Sequence, residues 1–255
     1  MYTDIHCHLL PDVDDGVKTW EESLAALKIA RDEGVTSLCV TPHIWPEKYP
    51  NTPEALALVF NEWRADVAAE GLGIDVHLGS EVYYMGNLAE NWARGRYRTL
   101  GVSGRYLLVE LPLLLMPAGV AHGFYELRLK GVEPILAHPE RYPYVARDVG
   151  KLEVFAHAGV AFQLTTHSVA GIFGGSAQKA SFDLLERGWV ACIASDAHSP
   201  TNRAPMFREA VRVLSNRYGH AAARSLCVDN PRRILAGEDV LPVPCERARK
   251  RGLFS

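Results

Sequence analysis

One rhythm constrains the fold of this chain more than any single motif. A helix-like stretch ends near a glycine, and a short apolar strand follows at once. Asp32-Glu33-Gly34 precedes Val35–Val40, and Glu70-Gly71 with Gly73 precedes Ile74–Leu78. The pattern returns at Lys130-Gly131 before Val132–Ala137, at Ala158-Gly159 before Val160–Leu164 and at Arg187-Gly188 before Trp189–Ala194. Glycine suits the left-handed position just past a helix end. Helix and strand in alternation imply a parallel sheet covered by helices.

The helices carry their own signals. Thr19-Trp20-Glu21-Glu22 reads as a capping box, followed by Trp20, Leu24 and Leu27 at helical spacing. Thr52-Pro53 supplies an N-cap and a first-turn proline, and Leu56, Val59, Phe60, Trp63 and Val67 form one stripe that reads as core. A later helix carries Phe207, Val211, Leu214 and Tyr218. Seven strands are expected, near residues 3–7, 36–41, 75–80, 106–111, 133–137, 161–165 and 190–195.

The ends of these strands hold the chemistry. The first finishes His6-Cys7-His8 and the last runs into Asp196-Ala197-His198. Residues two apart on a strand share a face, so each pair offers two metal ligands on one side. His43, Glu81, Glu110 and His138 also stand at or just past strand ends, and Asp15 lies in the turn Asp12–Gly16. Barrel enzymes build active sites at that end of the sheet. So many strand ends meet at one point only if the sheet closes, so the expected fold is α/β, a distorted (β/α)7 TIM-like barrel.

Each candidate has a plain structural alternative: a core histidine, an ion-paired Glu81 or Glu110, a turn-capping Asp15. Repetition at successive strand ends outweighs it. His6, His8, Asp15, His43, Glu81, Glu110, His138, Asp196 and His198 are too many ligands for one zinc-like ion. Two to three divalent ions fit, with Mn first and Fe, Zn or Mg as alternatives for a mixed His/carboxylate set. Closely spaced ions suit phosphoryl transfer. His77, His122, His157, His167 and His220 lack the pattern and are read as structural or surface residues.

With a net charge of −3 and a pI near 6.4, nothing global draws the chain to nucleic acid. Phosphate must then be held by local cations. Arg141 lies three residues after His138 and Arg203 five after His198. Guanidinium forks match phosphate oxygens, although Arg141 has an alternative ion-pair partner in Glu140. Trp45-Pro46-Glu47-Lys48-Tyr49-Pro50 follows His43, and its aromatics suit either a phosphotyrosine ring or ordinary packing.

The five cysteines are scattered and form no C-x-x-C pair, which fits a reducing compartment. The first strand begins too early to leave room for a signal peptide, and no apolar run is long enough for a membrane span. A cytoplasmic protein is expected, with one barrel domain over 1–241 and a basic tail over 242–255 carrying Arg247, Arg249, Lys250 and Arg251.

Taken together, Asp4-Ile5-His6-Cys7-His8, Asp14-Asp15-Gly16, Thr41-Pro42-His43, Gly79-Ser80-Glu81-Val82-Tyr83-Tyr84, Val109-Glu110, Ala137-His138-Pro139-Glu140-Arg141-Tyr142, Ala194–His198 and Val228-Asp229-Asn230-Pro231-Arg232 resemble the PHP superfamily. More narrowly, the chain resembles the bacterial manganese-dependent protein-tyrosine phosphatases of capsule and exopolysaccharide operons. The likeness runs nearly end to end. It implies a trinuclear centre. His6, His8, Glu81 and Asp196 would hold one ion, Glu81, Glu110 and His138 a second, and Asp15, His43 and His198 a third.

The implied reaction is hydroxide attack on phosphotyrosine, activated by metal and without a phosphoenzyme. Its catalytic set is Arg141, Arg203 and the metal-site histidine His198. The implied partner is the Tyr-rich tail of a bacterial tyrosine autokinase, and self-association is left open. Thr165-Thr166-His167 and Leu111–Pro117 depart from the family pattern and bear on substrate fit. Alternatives are another PHP phosphoesterase, histidinol-phosphatase-like or nuclease-like, and a non-catalytic metal-containing interaction module. Cys227–Arg233 matches C-x5-R, the spacing of cysteine-dependent phosphatases, but lacks phosphate-cradling glycines and a preceding strand. It reads as a turn leading into the last helix.

Overall fold

The computed structural model describes residues 1–245. The basic tail residues Arg247, Arg249, Lys250 and Arg251 lie outside the described residues. The strands are β1 (Tyr2–Cys7), β2 (Val35–Val40), β3 (His43–Ile44), β4 (Asp75–Leu78), β5 (Glu81–Tyr83), β6 (Tyr106–Glu110), β7 (Glu133–Ala137), β8 (Ala161–Thr165) and β9 (Val190–Ala194). All their ladders are parallel. They form two sheets, β1-β2-β4 and β3-β5-β6-β7-β8-β9.

The α/β class and the parallel strands are as expected. The single closed ring is not drawn by these ladders. The second and third expected strands end at Val40 and Leu78, and past the breaks Thr41-Pro42 and Gly79-Ser80 two further short strands, β3 and β5, open and pair in the other sheet. Pro42 has no N–H to give a ladder. The Glu81 N–H is shared between the Thr41 and Pro42 carbonyls at 3.3 and 3.2 Å.

Beyond β9, the Asp196 N–H donates to the His6 carbonyl at 2.8 Å, and the His8 N–H donates to the Ala197 carbonyl at 2.7 Å. Asp4 reinforces this seam, its buried carboxylate accepting from the backbone N–H and the hydroxyl of Ser195. Burial pushes the Asp4 carboxyl up to about 6, even though Ser195 and the His6 N–H favour its charged form.

The helices cover the outer faces. In Trp20–Glu33 the Thr19 hydroxyl accepts from the Glu22 N–H at 3.3 Å, while the Glu22 carboxylate accepts from the Lys18 N–H, one residue earlier than a capping box requires. Gly34, at φ 97°, closes that helix in the left-handed region where a side chain would be strained. Its buried face includes Leu27, worth about 1.5–3 kcal/mol when removed from water. That face also includes Ser23, which sequence periodicity did not mark. The Ser23 hydroxyl donates to the Leu9 carbonyl and accepts from the Trp63 indole N–H at 2.9 Å, tying this helix to Pro53–Ala69. In Pro53–Ala69 the stripe buries Leu56, Phe60, Trp63 and Val67, but Val59 is exposed. A smaller apolar cluster draws Ile5, Cys39, Leu108, Ile135, Cys192 and Ala194 from strands of both sheets.

Candidate metal centre

All nine candidate ligands meet in one place: His6, His8, Asp15, Glu110, His138, Asp196 and His198 come from the C-terminal ends of β1, β6, β7 and β9 or the residues after them, and His43 and Glu81 open the short strands β3 and β5. Their donor atoms form three close groups, each within 4.8 Å: His6, Glu81, His138 and Asp196; His8, Asp15, His43 and His198; His43, Glu81 and Glu110. The resemblance places His8 with His6 and His138 with Glu110. His8 Nε2 lies 3.2 Å from both His6 Nε2 and Glu81 Oε2, and His138 Nε2 lies 3.7 Å from Glu110 Oε1; the His8 ring also sits beside His43 and His198, centroids 4.6 and 4.0 Å apart, and His138 is in the close group of His6. Glu81 belongs to two groups in either partition. Its Oε2 faces His6 Nε2, His8 Nε2 and His43 Nδ1 at 3.2, 3.2 and 3.3 Å, and its Oε1 faces His138 Nε2 at 3.0 Å.

Three imidazoles are oriented from behind. His6 Nδ1 meets the Gln163 side-chain carbonyl at 2.8 Å, and the Gln163 amide donates to the Leu164 carbonyl, which fixes which end accepts. His8 Nδ1 meets Asp14 Oδ2 at 2.7 Å, and His198 Nδ1 meets the Asp196 carbonyl at 3.0 Å. In the neutral ring each Nδ1–H is donated outward, which leaves an Nε2 lone pair directed into the cluster; burial works to lower His6 and His8, but Glu81 and Asp196 raise the first and Asp14 and Glu81 the second. Those lone pairs confront carboxylate oxygens and one another, His6 Nε2 lying 3.2 Å from His8 Nε2. Asp196 Oδ1 and His138 Nδ1 are buried without a hydrogen-bond partner among the described residues. A dense set of lone-pair donors with few protons to share fits divalent cations.

Asp14 is the residue sequence reasoning missed. Its Oδ2 accepts from His8 Nδ1 and from the His43 backbone N–H at 2.9 Å, and its Oδ1 accepts from the Gly16 N–H. One carboxylate thus positions ligands from two segments. Burial would raise its pKa, but the His8 ring and the other partners hold it at about 2. Gly16 is required beside it: a Cβ there would lie 2.0 Å from the His8 carbonyl oxygen. Gln163 also went unmarked. A buried amide in the otherwise apolar run Ala161-Phe162-Gln163-Leu164 was its one signal.

Electrostatics divides the carboxylates. Glu110 is raised well above its ordinary value, by burial first and then by Glu81 and Asp196. Burial would also raise Glu81 and Asp196, but surrounding histidines, and Arg203 for Asp196, hold both well below. Burial and the adjacent His8 ring drive His198 down to about 4, so it is neutral near pH 7. That state suits a ligand. Asp196 and His138 also adopt left-handed backbone, φ 53° and 33°. For residues with a Cβ this is strain of the kind retained at functional sites.

Arg141 and Arg203 reach the same place from separate loops. Both guanidinium groups hydrogen-bond Asp196 Oδ2, while Asp196 Oδ1 lies 3.3 to 3.6 Å from His6, His8 and His198 nitrogens. One carboxylate joins the cationic forks to the ligand cluster. Arg141 does not pair with Glu140, whose buried carboxylate accepts from the Thr165 N–H and hydroxyl. Arg141 also packs over the Phe173 ring at 5.0 Å. His167, read as structural or surface, is buried and stacks on the same ring at 5.2 Å. In the loop after His43, Trp45 stacks on Tyr83 and Tyr49 on His43, so both rings are engaged within the protein.

The C-x5-R segment has none of this arrangement. Cys227 is fully buried in a wide helical turn leading to Asn230–Ala236. Burial, with Asp4 next, pushes its thiol up to about 12, and Asp229 pairs with Arg224.

The family described as capsular polysaccharide synthesis, CpsB/CapC, matches residues 2–236. The chain belongs to that family. Among relatives, CapC of Staphylococcus aureus is 35% identical over 81% of this chain and 80% of its own length. The tyrosine-protein phosphatase YwqE of Bacillus subtilis is 30% identical over 98% of each chain. A crystal structure from work on YwqE and on CpsB of Streptococcus pneumoniae, described as metal-dependent tyrosine phosphatases, matches with a TM-score of 0.89. It is 29% identical and covers 97% of this chain and 100% of that one. The CpsB/CapC match spans every strand and all nine candidate ligands.

Proposed function

We propose that this CpsB/CapC member is a metal-dependent protein-tyrosine phosphatase. It hydrolyses phosphotyrosine on the tail of a bacterial tyrosine autokinase that regulates capsular or exopolysaccharide synthesis. The observation that carries the reading is Asp196: one oxygen faces three ligand imidazoles, the other takes both arginines. Cation binding and phosphate binding share that side chain.

His6, His8, Asp15, His43, Glu81, Glu110, His138, Asp196 and His198 would hold two to three divalent ions, Mn first. Such ions activate water and neutralise phosphoryl charge. Arg141 and Arg203 present charged N–H forks to the phosphoryl oxygens and stabilise the charge that develops there. Asp196 and Phe173 hold the Arg141 fork before substrate arrives. Gln163, Asp14 and the Asp196 carbonyl keep the imidazole lone pairs aimed inward. His198 serves as a ligand, since its neutral ring has no proton to give at Nε2. Water is the nucleophile, and no side-chain phosphoenzyme is formed.

We read the two sheets as one distorted seven-stranded barrel over 1–241. The hydrogen bonds linking β1 to the residues after β9, and the apolar cluster shared by both sheets, support this. Among the described residues no helix is long and apolar enough to cross a membrane. All five cysteines are free, which supports a reducing cytoplasm.

Turnover of a phosphotyrosine peptide, histidinol phosphate and an oligonucleotide by the Mn-loaded protein tests the assignment. The peptide should be hydrolysed fastest. Preference for either of the others would replace tyrosine phosphatase with another phosphoesterase activity.

A further inference from the structure

The loop after His43 is a crest between two surfaces. On one flank Trp45 and Tyr49 stack at the ligand cluster, against Tyr83 and His43. On the other, Ile44, Pro46 and Pro50 line a groove of about 350 Å³, which Arg94, Arg96 and Tyr97 also line. Both walls are appended to strands that bear ligands. One follows β3, which begins at His43. The other follows β5, which begins at Glu81, and β3 and β5 are paired. Asn51, also in the groove, donates to the His43 carbonyl at 2.8 Å, so the groove wall is tied directly to a ligand.

We infer that this groove receives the peptide chain flanking the substrate phosphotyrosine and selects acidic side chains there. The inference rests on the phosphatase reading above. A peptide with its phosphotyrosine at the cluster reaches the groove by crossing the crest, a few residues along an extended chain. Apolar proline walls and Tyr97 suit such a chain, and arginines suit its carboxylates.

The charge is positive where the chain would lie. Arg94 pairs with Glu90, but among the described residues the Arg96 side chain bonds only the neutral Asn91 side chain, at 3.1 Å, and is exposed. Glu54, the acidic residue in the groove, sits in the first turn of Pro53–Ala69, where the helix N-terminus offsets its charge.

The test compares free phosphotyrosine with two phosphotyrosine peptides of one length, flanked by Glu or by Lys, on the Mn-loaded wild type and Arg96→Glu. The wild type should favour the Glu-flanked peptide by about fivefold in kcat/KM, mostly through KM, as one or two exposed charge pairs allow. Arg96→Glu should abolish or reverse that preference and leave free phosphotyrosine turnover within about twofold, far below the effect of a lost transition-state contact.

An unchanged preference in Arg96→Glu overturns the inference, and so does an equal loss on free phosphotyrosine. A wild-type dimer that Arg96→Glu breaks in sedimentation would assign the groove to a second copy of this chain instead. If no phosphotyrosine substrate turns over, the phosphatase reading fails by itself. Fluorescence anisotropy of the unphosphorylated Glu-flanked peptide then decides the groove: binding that Arg96→Glu weakens keeps it, and no binding overturns it.

Discussion

Two segments of this molecule carry the marks of a phosphatase, and they differ in environment more than in composition. Around Cys227 the spacing matches a cysteine-dependent site, yet the thiol is sealed in the core and pushed up to about 12. At the strand ends no short motif matches that enzyme class, yet nine polar side chains from across the chain converge with lone pairs inward. A thiolate nucleophile needs exposure and a lowered pKa. A cation site needs donors already oriented. Only the strand-end cluster meets its own requirement.

The predictions that press on this contrast run from large effects to small. Asp196→Ala removes the oxygen facing the imidazoles and the oxygen holding both arginines. Phosphotyrosine turnover should fall about a thousandfold, at the upper end of what one lost transition-state donor produces. Near-normal kinetics would detach the cluster from catalysis. Arg141→Ala should lower kcat about a hundredfold while metal content, measured by mass spectrometry, stays at the wild-type level. Equal loss of metal and activity would make Arg141 a structural residue of the cluster.

Asp14→Asn should weaken metal affinity by about tenfold to a hundredfold, measured by titration of metal-free protein with Mn. It should also alter acid stability. The Asp14 carboxyl is held at about 2 against an ordinary 3.8. A depressed carboxyl stabilises the fold above pH 3.8, and that contribution disappears as pH falls through 2. It is worth about 2 kcal/mol, so acid unfolding of metal-free Asp14→Asn should lack part of the wild-type loss between pH 4 and 2.

Cys227→Ser should change least. Turnover should stay within about twofold, while the melting temperature drops because a hydroxyl is buried without a provided partner. Loss of turnover in a folded variant would revive the cysteine site.

The candidate ligands were legible because six of the seven expected strand ends bring a histidine or carboxylate to the same edge. Arg141 and Arg203 were legible by adjacency to His138 and His198. What lies behind the ligands was not. Asp14 resembles any turn aspartate until His8 and the His43 N–H fold onto it, and Gln163 takes its meaning from His6, 157 residues away in sequence. The breaks that divide the strands into two sheets follow from Pro42 and from the Gly79-Ser80 interruption, which hydrophobic patterning passes over. Periodicity likewise placed Val59 in the core and left Ser23 out, because a hydrogen bond to Trp63 decided the packing of that pair of helices.

The central claim is that the strand-end cluster, loaded with divalent ions, performs the hydrolysis. The most direct measurement removes the ions with a chelator, verifies their absence by elemental analysis and assays phosphotyrosine peptide turnover before and after Mn is returned. The account predicts turnover lost on removal and restored by Mn, in the wild type and in Cys227→Ser alike. Full turnover by verified metal-free protein would contradict it.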